Sequence, residues 1–186
     1  MAAKTTISLD EFLKLPEFEE DGTHYELDEG ELITLSPSGG RHAIRVQKTF
    51  RYLMRYLPEE QYDILPGEVG FIMSYDPRPT VRGANLAVVR HREEYPEGML
   101  KEPALLVVEV VSPSNTPDDI ERKRIQYLEF GVQEVWVVYE KAKTIHVSLN
   151  PAAARDNKQP ESFVANIQSA FTSTLGFPVV AKDLFR

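Results

Sequence analysis

The segment ALLVVEVVSPSNTPDDIERKRIQYLEFGVQEVWVVYE, residues 104 to 139, constrains the fold of this chain more than any other. An apolar run, LLVVEVV, is followed by a polar turn, a charged helical stretch and a second apolar run, VWVVY. Neither run shows the polar alternation of a strand with one wet face. Both belong at the centre of a sheet covered on each side. A strand, a helix and a strand of this length form a crossover unit, with parallel strands and a right-handed connection. The class that follows is α/β, or α+β, with a central mixed sheet flanked by helices.

One residue in this segment breaks its own pattern. Glu109 stands in the middle of the first apolar run, where a carboxylate costs several kcal/mol unless it is paired, neutralised or bound to a metal. Lys123 follows in the helical stretch. The two are either a buried structural pair or part of a site.

The rest of the chain supplies strands and helices around this unit. Ser8 and Glu11 read as a capping box for a short helix ending near Pro16. THYEL and ELITLS flank a tight turn at residues 28 to 30, a hairpin signal. Residues 41 to 57 carry apolar groups at helical spacing (Ile44, Val46, Phe50, Leu53, Met54, Leu57). YDIL, EVGFIMS and LAVV read as strands between residues 62 and 89, with DPRP as a loop. Residues 91 to 103 read as surface loop. The charged helix stops at Gly131, and VWVVY and TIHVSL form a hairpin across EKAK. Residues 151 to 160 read as a polar excursion, with SFVANI and the TLGFPVVAKDLF tail at the edge of the sheet.

Composition bounds the chemistry. A chain of 186 residues that is 42 % hydrophobic fits one buried domain over 1–186. With no cysteine, thiolate metal sites and disulfides are excluded, leaving carboxylate and imidazole ligands and suiting a reducing cytoplasm. The amino-terminal MAAKTTISLDEF has no apolar signal core, and no stretch approaches the roughly 20 apolar residues of a spanning helix. A soluble, cytoplasmic protein is the expectation. The net charge of −8 argues mildly against a nucleic-acid partner. Positive charge is local: Arg41, Arg45, Lys48, Arg51 and Arg55 share the predicted helix, either as a solvated face or as a phosphate-facing one.

Strand alternation places Val107, Glu109 and Val111 on one face, and Asn85, Ala87 and Val89 on one face of the preceding strand. If these strands are neighbours, Asn85 and Glu109 meet across the sheet, and Lys123 can reach back from its helix. Oxygen ligands beside a lysine suit a hard cation such as Mg²⁺ or Mn²⁺ next to a phosphodiester. A structural salt bridge is the competing reading.

Over nearly its whole length the sequence resembles the Uma-type endonuclease family, of the PD-(D/E)XK, restriction-endonuclease-like superfamily. Five blocks carry the resemblance. They are YELDEGELITLSP at 25 to 37, His42 at a helix start, TVRGANLAVVR at 80 to 90, LLVVEVVSPS at 105 to 114 with ERKRIQYLEFGVQEVWVV at 121 to 138, and TLGFPVVAKDLF at 174 to 185. The resemblance implies a restriction-endonuclease-like core and Mg²⁺-dependent hydrolysis of nucleic acid, DNA before RNA. By analogy with the superfamily it also implies a homodimer. It implies Glu109 as a metal-ligand carboxylate and Lys123 as the catalytic lysine, moved from the strand onto the following helix. Glu26 and His42 match further polar positions of the family.

One departure stands out. Where the family has an aspartate as first metal ligand, this chain has Asn85. A neutral amide holds a cation less well, so weakened or absent cleavage is the expectation. A displaced ligand such as Asp63 or Asp76 is one alternative. A catalytically inactive module for nucleic-acid binding or oligomeric interaction is another. Glu26 also reads as an exposed edge-strand charge, and His42 as a helix-start histidine. Trp136 reads as core, and SPSNT as an ordinary turn in preference to a phosphate cradle. No P-loop, dinucleotide glycine motif, His-Glu-x-x-His pair or nucleophile elbow is present.

Overall fold

The computed structural model describes residues 5–113 and 115–186. Ser114, inside the SPSNT turn, and the first four residues lie outside the described part. Ser8 caps helix α1 (Leu9–Phe12), exchanging hydrogen bonds with Glu11 as the capping box requires. Strands β1 (His24–Asp28) and β2 (Glu31–Leu35) form the expected hairpin. Its turn places Glu29 and Gly30 at φ 50° and 89°, a left-handed pair that matches the twist of the flanking strands. Helix α2 (Gly40–Leu53) ends one turn earlier than its apolar spacing suggested.

Strand β3 (Tyr62–Ser74) is continuous where the sequence suggested two strands. The Pro-Gly-Glu interruption at 66 to 68 is absorbed as a bulge, because β4 (Thr80–Arg90) pairs with β3 on both sides of it. Then come β5 (Leu106–Val110) and α3 (Pro117–Phe130). Thr116 and Asp119 cap the start of α3, and Gly131 at φ 111° ends it. Strand β6 (Glu134–Tyr139) pairs parallel to β5, as the crossover reading required. Strand β7 (Thr144–Leu149) returns antiparallel to β6. The polar excursion contains a short helix, α4 (Pro151–Asp156), and β8 (Ser162–Asn166) closes the edge against β7. The tail adds a small ribbon of β9 (Ala170–Thr172) and β10 (Pro178–Val180), then α5 (Ala181–Leu184).

The main sheet runs β2-β1-β4-β5-β6-β7-β8, with β3 on the other side of β4. It is mixed, and both its faces are covered. Leu86, Val88, Val108, Trp136 and Val138 pack on the α2 side with Tyr52 and Leu53. Ala87, Val89, Val107, Val135 and Val137 pack on the α3 side with Ile120 and Tyr127. This alternation puts Glu109, with Val107, on the α3 face, whereas Asn85 lies beside His42 of α2.

A fork at β4 positions the site. One edge of β4 is occupied by β3 along its length. The other edge pairs with β1 at Val81 and with β5 only from Leu86 to Val88. Between those contacts, at residues 82 to 85, the two partners diverge. Side chains fill the gap in place of a strand.

Candidate active site

The gap is organised around Lys123, sent back from α3. Its ammonium donates to Glu26 Oε1 at 2.7 Å and to the Gly83 carbonyl at 3.0 Å, and it lies 3.3 Å from Glu109 Oε1. All three charged side chains are buried: Glu26 is 2 %, Glu109 4 % and Lys123 8 % exposed. The Tyr127 hydroxyl donates to the same Glu109 oxygen at 2.8 Å. Glu26 Oε1 also accepts the Gly83 N–H, and its Oε2 takes Arg82. Arg82 is buried in turn, bridging Glu26, Asp28 and Gln126. Lone charges at this depth would each cost several kcal/mol, and the shared network offsets that cost.

Asn85 sits beside this network on β4. It stands one residue before the last β4–β5 pair, Leu86 with Val108. Its side-chain carbonyl accepts the Val110 N–H at 2.7 Å, continuing the ladder where backbone pairing stops. Its amide nitrogen donates to Glu68 Oε1 at 2.5 Å. His42, in the first turn of α2, brings Nε2 to 3.0 Å from the Val110 carbonyl and 3.3 Å from Asn85 Oδ1. Both are acceptors, so Nε2 carries the hydrogen. The buried Nδ1 of His42 finds no hydrogen-bond partner among the described residues.

The charges perturb one another. Burial is the largest influence on Glu109 and, with Glu26 and Glu68 adding to it against Lys123, lifts its carboxyl to about 7. Glu26 is buried to the same degree, yet Lys123 and Arg82 outweigh that burial and hold it below the usual carboxylate range. Burial opposes the charge on Lys123, but Glu109 and Glu26 overcome it and raise the ammonium above its ordinary value. Lys123 is therefore a fixed positive charge, not a base.

A cavity of about 190 Å³ opens over these groups, lined by Glu26, His42, Glu68, Asn85, Glu109 and Lys123 among others. The five residues singled out in the sequence thus converge on one hollow. Glu26, also read as an exposed edge charge, is buried instead, because β2 and not β1 forms the edge of the sheet. Glu68, Arg82, Asp28 and Tyr127 escaped sequence reading. Glu68 follows a Pro-Gly pair that reads as a break, and a buried Arg82 is indistinguishable by sequence from a surface one. Asp63 and Asp76 are engaged elsewhere. Asp63 takes His91 and Tyr95, and Asp76 accepts the Leu9 N–H. On α2, Arg45 is buried against Glu140 and the Leu184 carbonyl, while Arg41 and Arg51 are exposed, as is Arg55 just past the end of the helix.

A family profile described as "Putative restriction endonuclease" (Uma2) matches residues 9–178. The chain belongs to this family. The match with Uma2 spans every side chain that lines the cavity. The crystal structure of "a putative nuclease belonging to DUF820" from Anabaena variabilis has the same fold. It superposes with a TM-score of 0.73 at 20 % sequence identity, over 96 % of this chain and 97 % of that one. A comparison with curated proteins finds no match.

Restriction-endonuclease-like families generally use a divalent metal ion. The donors around the Uma2 cavity fit such an ion in kind: the Glu109 carboxylate and the Asn85 carbonyl are hard oxygen donors, with no sulfur among them. Lys123 and Tyr127 both engage Oε1 of Glu109, so the second oxygen of that carboxylate is the one available. Among the described residues no three acidic or imidazole side chains converge as a complete ligand set.

Proposed function

We propose that this protein is a divalent-metal-dependent endonuclease, hydrolysing phosphodiester bonds of nucleic acid, DNA before RNA, at a rate lowered by Asn85. Glu109 and Asn85 would hold the cation. When bound there, Mg²⁺ or Mn²⁺ supplies Lewis-acid polarisation of the phosphate and neutralises charge on it. Lys123, kept charged by Glu26, stabilises the anionic oxygen of the attacking water. Glu26, itself held by Arg82, and the Gly83 carbonyl hold Lys123 in place, and His42 fixes Asn85 against β5. Water attacks phosphorus directly, without a covalent enzyme intermediate: the bond to the leaving sugar oxygen breaks as the new P–O bond forms, and the proton the water sheds is returned to that oxygen through solvent. A homodimer would present one such centre to each strand of a duplex.

The observation that carries this reading is the buried Glu109–Lys123 pair facing a cavity, with Glu109 incompletely neutralised by its own neighbours. The test is plasmid nicking in Mn²⁺. Asn85→Asp should cleave faster than the natural chain, and Lys123→Met introduced alongside it should abolish the gain. If Asn85→Asp leaves both Mn²⁺ affinity and nicking at background, the proposal fails.

A second reading has its own support. Both polar groups of Asn85 are used within the protein, the carbonyl by Val110 and the amide by Glu68, so the network closes without an ion. On that reading the chain is a catalytically inactive nuclease-fold module that binds nucleic acid or oligomerises. A gel-shift titration separates the two, since salt-sensitive binding without cleavage by either version favours the inactive module.

A further inference from the structure

Resting on the endonuclease reading, we infer that Glu68 supplies the carboxylate that Asn85 lacks, so that the acidic ligand has moved from β4 to the neighbouring strand. The register shows how. On β3, Pro66 faces Leu86 and Val69 faces Ala84, so two residues, Gly67 and Glu68, stand opposite Asn85 alone. A bulge of this kind re-aims a side chain that a regular strand would direct elsewhere. Glu68 adopts φ 62° to make the turn, a conformation disfavoured for any residue with a Cβ.

The redirected carboxylate spans two positions. Oε1 accepts the Asn85 amide at 2.5 Å, and Oε2 reaches within 3.4 Å of where a Cβ on Gly83 would stand, beside Glu26. On its other edge Asn85 accepts the N–H of Val110, the residue after Glu109 on β5. A row of Glu68, Asn85 and Glu109 therefore crosses three strands at the floor of the cavity, and all three line it. Replacing aspartate by asparagine removes one negative charge from that floor, and Glu68 returns one. The amide is also what this exchange requires: Asn85 can donate to Glu68, whereas an aspartate would meet it carboxylate to carboxylate. Glu68 thus acts as an exchanged ligand, with Asn85 as the group that orients it.

Mn²⁺ titration calorimetry on the full chain tests this with no reliance on turnover. Five proteins are compared: the natural chain, Glu68→Gln, Glu68→Gly, Asn85→Asp and the Glu68→Gln, Asn85→Asp double variant. Glu68→Gln keeps an acceptor for the Asn85 amide, and Glu68→Gly suits the left-handed backbone, so at least one carboxylate-free protein should fold. Losing the carboxylate should weaken Mn²⁺ binding at least about tenfold, and adding Asn85→Asp to Glu68→Gln should return it to near the natural value. Natural-strength binding by Glu68→Gln and Glu68→Gly overturns the exchange while leaving the endonuclease reading intact. A loss in Glu68→Gln that Asn85→Asp does not repair also overturns it. Silence from both the natural chain and Asn85→Asp removes the endonuclease reading and this inference together.

Discussion

The side-chain carbonyl of Asn85 accepts the backbone N–H of Val110 at 2.7 Å, stitching β4 to β5 at the point where their ladder ends. The residue proposed as a metal ligand is thus also a structural bridge between two central strands. The effects of changing it separate accordingly.

Asn85→Asp keeps an acceptor for Val110 but turns the donor facing Glu68 into a second carboxylate. Without divalent ions this variant should be less stable than the natural chain by about 1–3 kcal/mol, from like-charge repulsion and a lost hydrogen bond. Thermal melts in chelator and in excess Mn²⁺ check it. The melting temperature should fall in the first and recover in the second.

Lys123→Met leaves Glu26 and Glu109 buried with too little positive charge. Loss of one partner from a buried network should cost about 3–5 kcal/mol in chemical denaturation. Adding Glu26→Gln to Lys123→Met should recover part of that cost, since it removes one of the stranded carboxylates.

The raised Glu109 carboxyl predicts a pH dependence. Its value in the folded protein, about 7, exceeds the ordinary 4.5, so between those values the folded state holds the proton more tightly than the unfolded chain. Stability from this group is full below pH 4.5 and is lost as pH rises through 7. The loss is on the order of 3 kcal/mol. Glu109→Gln should flatten this part of the stability profile and be the more stable protein at pH 8, though deprived of its ligand. Denaturation midpoints of both proteins across that range decide the point.

Glu134 is wholly buried on β6 and accepts from Trp136 Nε1, the Ser173 hydroxyl and both the N–H and hydroxyl of Thr174. It anchors the tail to the sheet, away from the cavity. Glu134→Ala should destabilise by about 3 kcal/mol through its stranded donors, with Mn²⁺ affinity unchanged in the fraction that remains folded. Calorimetric melting and metal titration report the two separately.

Much of the fold was legible because its signals are local. The apolar runs around Glu109 and Trp136, the caps at Ser8 and Gly131 and the turn at Glu29–Gly30 each depend on residues adjacent in sequence. Asn85, Glu109 and Lys123 were legible as a group because the sequence pattern sets them on two neighbouring strands and the helix that follows. The fork of β4 was not, since nothing in TVRGANLAVVR reveals that one edge is shared by two strands. Glu68 was hidden for a related reason. A Pro-Gly pair signals an interruption, and whether it breaks a strand or bulges it depends on the partner strand across the way. The burial of Glu26 and Arg82 follows from long-range charge pairing, which leaves no periodic trace.

Anomalous diffraction from crystals of the natural chain grown in Mn²⁺ with a short DNA duplex tests the metal site most directly. The expected result is a single strong peak bonded to the Glu109 carboxylate, within reach of Asn85 and Glu68 and beside a DNA phosphate. A map with no peak at Glu109, with Lys123 and Tyr127 still closed over it and the DNA bound elsewhere or not at all, would contradict the endonuclease reading.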